Sequence, residues 1–143
     1  MKKTSETLHQ DWVKELLAQP LLARLGTADP KSNQPHVTPV WFEWDGEALY
    51  ISAFTSTRKM KEALANPRIS VLIDVDSPTR AVLLEGLAEI LSDAGEVIRH
   101  STSIYARYVG AAEVKHDPYK SWVYDAENRI IKLKPRRAFA WRW

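Results

Sequence analysis

Residues 36–44 form a run rich in β-branched and aromatic side chains, and only Asp45-Gly46 separates it from a second run at 47–53 that carries Leu49, Tyr50 and Ile51. Asp-Gly tolerates positive φ at both centres of a two-residue loop, so this spacing predicts an antiparallel hairpin. The same punctuation recurs along the chain. A dense cluster of turn formers, Asp29-Pro30-Lys31-Ser32-Asn33-Gln34-Pro35, divides a strand at 21–28 from the one at 36–44, and Ser77-Pro78-Thr79 divides 68–75 from 80–91. The 80–91 run reads as a strand pair or as one long bent strand with Gly86 as a bulge. Two more strands are expected at 129–134 and 138–143. The strands are joined mainly by hairpin turns, and only the helix after Ser56 separates neighbouring strands in the first half, which favours antiparallel pairing. The predicted class is mainly β with flanking helices: a Greek-key split β-barrel of six to seven antiparallel strands.

Three helices complete the prediction. Leu8, Trp12, Leu16 and Leu17 form one apolar stripe over 5–19, which Pro20 ends. Ser56 or Thr57 caps a short helix that stops at Asn66-Pro67. Asp93 with Glu96 has capping-box spacing for a helix reaching about Gly110. At 143 residues, 45% of them hydrophobic, the chain suits a single domain over 1–143 with a core that needs no staple. It has no cysteine, which excludes thiol catalysis, thiolate metal sites and disulfides and agrees with a reducing compartment. No apolar run approaches the roughly 18 residues that span a bilayer, and the start of the chain lacks the continuous apolar segment of a secretory signal. A cytoplasmic protein without a membrane partner is expected. Six of the 20 basic residues and none of the 18 acidic ones lie within 129–143, so the net charge of +2 belongs to one end. Nucleic-acid surfaces carry a basic face along a motif, and no nucleic-acid partner is expected here.

The usual catalytic signatures are absent. The five glycines are scattered outside any phosphate loop, and the four histidines never fall at metal-ligand spacing. No catalytic side chain and no metal site is assigned. Thr55-Ser56-Thr57-Arg58-Lys59 does carry a chemical signal, with three hydroxyls and two cations at the start of a predicted helix. Free backbone N–H groups and the positive end of the helix dipole already favour an anion there. Two cations in the first turn oppose that dipole, and a bound phosphate reverses the sign of the term. An N-cap followed by solvated charges is the plainer account of the same residues. Within 37–42, Pro39 cannot donate a ladder hydrogen bond, so this strand is expected at an edge or with a bulge, leaving backbone groups free for a planar polar ligand.

In order along the chain, these segments resemble the pyridoxamine 5′-phosphate oxidase-like family, the FMN-binding split barrels. The matching elements are strand 36–42, the Asp45-Gly46 hairpin, Ala48-Leu49-Tyr50-Ile51-Ser52, Ser56-Thr57-Arg58-Lys59-Met60-Lys61, Asn66-Pro67-Arg68, Ile69-Ser70-Val71-Leu72-Ile73, Val82-Leu83-Leu84-Glu85-Gly86 and Ile130-Ile131-Lys132-Leu133-Lys134-Pro135. The resemblance covers about 21–143. It implies a flavin-dependent oxidoreductase that binds FMN in a homodimer, with a nicotinamide nucleotide as electron donor and a small organic molecule as substrate. It places the flavin ring along Thr38, Pro39, Val40 and Trp41, the ribityl chain near Ser52, and the cofactor phosphate at Ser56, Thr57, Arg58 and Lys59. Tyr105, Arg107 and Tyr108 fall where family members line the substrate pocket. The chain ends Ala138-Phe139-Ala140-Trp141-Arg142-Trp143, without the arginine motif with which vitamin B6 oxidases grip their substrate phosphate, so pyridoxamine phosphate is not the expected substrate. Related branches use a deazaflavin coenzyme, which stands as the alternative cofactor. A non-enzymatic flavin-binding or flavin-sensing protein is the alternative function.

Overall fold

A computed structural model describes residues 3–143. Two short helices, α1 (Thr4–Leu8) and α2 (Asp11–Ala18), precede β1 (Ala23–Ala28), β2 (Pro35–Val40), β3 (Glu43–Trp44) and β4 (Leu49–Phe54). Helix α3 (Arg58–Ala65) leads into β5 (Arg68–Val75) and the long β6 (Arg80–Leu91). Then come α4 (Ala94–Val109), a 3₁₀ turn (Glu113–Lys115), α5 (Tyr119–Val123), β7 (Asn128–Leu133) and β8 (Arg137–Arg142). Every pairing is antiparallel, in the order β2-β1-β5-β6-β7-β4-β3, with β8 also against β6. This is the predicted split barrel, and β2 does lie at an edge, pairing among the described residues only with β1.

Strand β6 belongs to both halves of the barrel. Its residues 80–85 pair with β8 and its residues 88–91 with β7. The change of neighbour falls at Gly86. A Cβ there would lie 2.8 Å from Leu133 Cδ1 and 3.1 Å from the Lys134 carbonyl oxygen. Gly86 is therefore a corner rather than the expected bulge, and its register opposite Ile69 is unbroken.

Other local expectations change as well. The helix expected over 5–19 is two helices, because Gln10 takes an extended backbone (φ −66°, ψ 133°) and α2 starts afresh after it. The single strand expected at 36–44 splits into β2 and β3, which raises the count to eight. Phe42 turns fully into the core between them. At the hairpin, Asp45 is a side-chain acceptor instead of a tip residue. Its carboxylate takes the Glu47 and Ala48 amides at 2.8 and 2.7 Å, and its own N–H donates to the Ala48 carbonyl. The tip is Gly46-Glu47, with Gly46 at φ +99°. Between α4 and β7 the chain adds helical turns that its mixed composition did not announce. The Asp93 cap is as predicted, its carboxylate accepting the Glu96 amide at 3.1 Å.

The barrel interior is filled by alternate residues of the strands, among them Leu25, Leu49, Ile51, Val71, Ile73, Val82, Leu84 and Ile131. It is closed by Val13, Leu16 and Leu17 of α2 and by Met60 and Ala63 of α3. A second cluster lies on the other face of β4 and β7, where Tyr50 and Ile130 meet Val97, Ile104 and Tyr105 of α4. Successive residues of β4 thus face two different cores, which follows from the period of two along a strand.

Candidate functional site

Helix α3 starts at Arg58 behind an extended Thr57. The Thr57 hydroxyl does not cap the helix; it donates to the Phe54 carbonyl at 2.7 Å. The Thr55 hydroxyl donates to Glu127 Oε1 at 2.9 Å. The amides of Arg58, Lys59 and Met60 find no acceptor among the described residues, and the first turn holds no acidic side chain. Three free N–H groups at the positive end of a helix form an anion-receptive surface. Ser56 is exposed beside it, its hydroxyl without a partner among the described residues. Lys59 is half-buried and makes no ion pair among the described residues, and burial pulls its ammonium below the ordinary lysine value. An open groove of about 530 Å³ runs alongside, lined by Asp29, Lys31, Ser56, Arg58, Lys61 and Glu62.

Arg58, by contrast, has a partner. Its Nε lies 3.3 Å from Glu62 Oε1, one helical turn on. The same oxygen accepts from His36 Nδ1 at 2.7 Å and from the Thr27 hydroxyl at 3.1 Å. Burial pushes the Glu62 carboxyl upward, but the His36 and Thr27 hydrogen bonds and the Arg58 charge outweigh it and hold the group below the usual glutamate value. The other imidazole nitrogen, Nε2, is 3.4 Å from Thr38 Oγ1. A chain of polar groups therefore joins Thr38 on β2 to Arg58 on α3, and the structure brings these two expected site residues to the same end of the barrel. Along β2, Pro39 faces outward and Val40 is buried.

Trp41 and Ser52 lie elsewhere. The Trp41 ring stacks on Tyr108, with centroids 4.6 Å apart and planes 4° apart, and meets Tyr105 edge-on. Ser52 donates to Asn128 Oδ1 at 2.7 Å and lies 2.8 Å from the Tyr105 hydroxyl, while Asn128 Nδ2 donates to Ser101 Oγ at 2.8 Å. Both side chains are engaged in the cluster under α4. Arg107 and Tyr108 brace the backbone of two other segments. Tyr108 donates to the Leu21 carbonyl at 2.6 Å and accepts the Phe42 amide at 3.1 Å; Arg107 donates to the Gln19 carbonyl at 2.9 Å and to the Phe42 carbonyl. They secure the chain where β2 ends.

Sequence reading did not single out Glu62, Thr27 or Asn128, and it assigned His36 no role. The one available signal was the four-residue spacing of Arg58 and Glu62, which places them on one helix face. The cross-strand neighbours His36 and Thr27, which are paired in register, emerge only once β1 and β2 are aligned.

An eight-stranded antiparallel split barrel, with a hydroxyl-rich and cationic helix start following its hairpin, defines a class of small β-barrel proteins. A family model described as pyridoxamine 5′-phosphate oxidase matches residues 10–142, and the chain belongs to that family. Among solved structures, an F420 reductase is 27% identical, with 88% of this chain and 94% of that one aligned at a TM-score of 0.73. A conserved hypothetical protein from Mycobacterium tuberculosis is 23% identical over 99% of this chain and 90% of its own, at a TM-score of 0.77. A flavocytochrome from Azotobacter vinelandii is 17% identical over 99% of this chain and 76% of its own, at 0.74. The last two likenesses concern the fold. No curated protein matches the chain. Among the described residues, no helix is long and apolar enough to cross a membrane and no group of three or more His, Cys, Asp or Glu side chains is placed to hold a metal ion.

Proposed function

We propose that this chain is an oxidoreductase that holds a phosphorylated flavin-type cofactor, FMN, noncovalently in a homodimer and exchanges electrons between a nicotinamide nucleotide and a small organic substrate. The observation that carries this reading is the uncapped start of α3, where three free amides and the unpaired Lys59 ammonium await an anion. Ser56, Thr57, Arg58 and Lys59 hold the phosphate, and Thr38, Pro39, Val40 and Trp41 run beside the ring system through their backbones. Ser52 contributes by fixing β4 beneath the intervening chain. When bound, the cofactor supplies the redox chemistry, and the protein's part is position, exclusion of water and a fixed field. This accounts for a site without an acid–base constellation.

The outer face of the larger sheet supports the homodimer. Register places Val37, Gly26, Ser70, Glu85 and Arg137 in one row across β2, β1, β5, β6 and β8. Pro39, Arg24, Leu72, Leu83 and Phe139 form the next. Val37 is 63% exposed, and Trp141 and Trp143 stand open at the end of β8. Val37, Pro39, Leu72, Leu83, Phe139 and Trp141 set apolar and aromatic side chains among the Arg24–Asp74 and Arg137–Glu85 ion pairs of this face, a mixture that suits a surface buried against a partner. The C-terminal aromatics lie on this outward side, whereas Ala138 and Ala140 pack on the core.

A second reading shares the phosphate grip and replaces FMN with the deazaflavin coenzyme; the likeness to an F420 reductase favours it. One absorbance spectrum of the purified protein, with the released cofactor identified by mass, separates the two. Mixing the loaded protein with NADH and NADPH then tests turnover. Bleaching by either supports the oxidoreductase. Purified protein that retains neither cofactor and takes up neither refutes the proposal.

A further inference from the structure

Glu62 is a charged side chain only 8% exposed, on a helix whose start is built for an anion. Its placement calls for an explanation beyond helix stability. Arginine four residues before glutamate is the weaker order for a helical ion pair, and a carboxylate close to a phosphate site opposes the phosphate. A glutamine would satisfy the Thr27 hydroxyl equally well. What the charged group does is gather, on Oε1 alone, the Nε of Arg58 at 3.3 Å, Nδ1 of His36 at 2.7 Å and the Thr27 hydroxyl at 3.1 Å. Arg58 is 57% exposed, and a free surface arginine samples many rotamers. Anchored through Nε, it keeps both terminal nitrogens without a partner among the described residues, so the planar fork that binds phosphate in two parallel hydrogen bonds points away from the anchor. His36 rests on the same carboxylate and reaches Thr38 through its second nitrogen.

We propose that Glu62 is the positioning residue of the phosphate grip: it aims the guanidinium of Arg58 at the anion. The inference rests on the phosphate assignment made under Proposed function. Its sign sets it apart from a purely electrostatic role. If Glu62 acted only as a nearby negative charge, Glu62→Gln would tighten phosphate binding, whereas loss of positioning weakens it.

The test compares FMN with riboflavin, its phosphate-free counterpart, by fluorescence titration of the wild type, Glu62→Gln, Arg58→Ala and the double variant. If the retained cofactor is a deazaflavin, that coenzyme and its phosphate-free form replace the pair. Wild type should prefer the phosphorylated form. Glu62→Gln should lose about tenfold of that preference with riboflavin affinity unchanged, and should lose nothing further in the Arg58→Ala background. A preference that is unchanged or increased in Glu62→Gln overturns the proposal, as does an equal loss with and without Arg58. A wild type that does not discriminate FMN from riboflavin overturns the phosphate assignment itself. Arg58→Lys, an exposed change that keeps the charge but not the fork, gives a readout should Glu62→Gln fail to fold. It should lose nearly as much preference as Arg58→Ala, and full retention overturns the positioning role.

Discussion

Lys59 should act on stability and on cofactor affinity with opposite signs. Without ligand its ammonium is half-buried, is pulled below the ordinary lysine value by burial, and lies in the first turn of α3 with no ion-pair partner among the described residues. A cation at the positive end of a helix costs about 0.3–1 kcal/mol, and removal of its desolvation adds to the gain. Lys59→Met keeps most of the apolar stem, so the cofactor-free protein should be stabilised by about that amount, or roughly 1–4 °C in Tm at this chain length. With phosphate bound, the same ammonium makes a charge-assisted hydrogen bond of about 1.5–3 kcal/mol, which corresponds to about 10- to 150-fold in Kd. Differential scanning fluorimetry of the apo protein gives the first number, and parallel titrations with FMN and riboflavin give the second. The expected pattern is a higher apo Tm, a large loss for FMN and no change for riboflavin. Equal weakening of both ligands, or a lower apo Tm, would refute the reasoning, because Lys59 would then be packing the fold and not waiting for an anion.

Three further outcomes follow from the packing. Asn128, 1% exposed, hydrogen-bonds Ser52, Ser101 and the Val123 carbonyl, so Asn128→Leu removes three hydrogen bonds at a buried position and should cost about 3 kcal/mol in urea denaturation. Gly86→Ala sets a methyl 2.8 Å from Leu133 Cδ1 and should destabilise by about 1–3 kcal/mol, with a shifted midpoint at constant m. Burial raises the Asp45 carboxyl, but the Ala48 and Glu47 amides and the Tyr50 hydroxyl outweigh it and hold the group below the ordinary aspartate value of 3.8. Its contribution is therefore fully present above pH of about 4 and fades as pH falls through the lowered folded value. Tm measured from pH 2 to 6 should fall more steeply for wild type than for Asp45→Asn.

The barrel could be read from the sequence because its cues are local. Pro30, Pro35, Pro67 and Pro78 punctuate the chain at the borders of its strands, and Val, Ile and Leu mark the strands between them. Phe42 shows the limit of that reading. It continues an alternating aromatic run, yet it breaks the strand because Arg107 and Tyr108, more than sixty residues away, take its backbone groups. The start of α3 was legible as an anion site because the hydroxyls and cations are adjacent. The commitment of the Trp41 and Ser52 side chains to the α4 layer was not. In a strand one residue of offset decides which core a side chain enters, and that offset depends on partners supplied by α4 and β7.

The same sensitivity gives the shared strand β6 a consequence for how the molecule opens. Val82 and Leu84 point into the barrel from the half paired with β8, and Ala88 and Ile90 pack on the same core from the half paired with β7. A slip of one residue would eject all four at once, so neither half can fray by shifting register while the other holds. The amides across residues 82–90 should therefore exchange with solvent as one group, at the rate of global unfolding, while the edge strands β2 and β3 exchange earlier and independently.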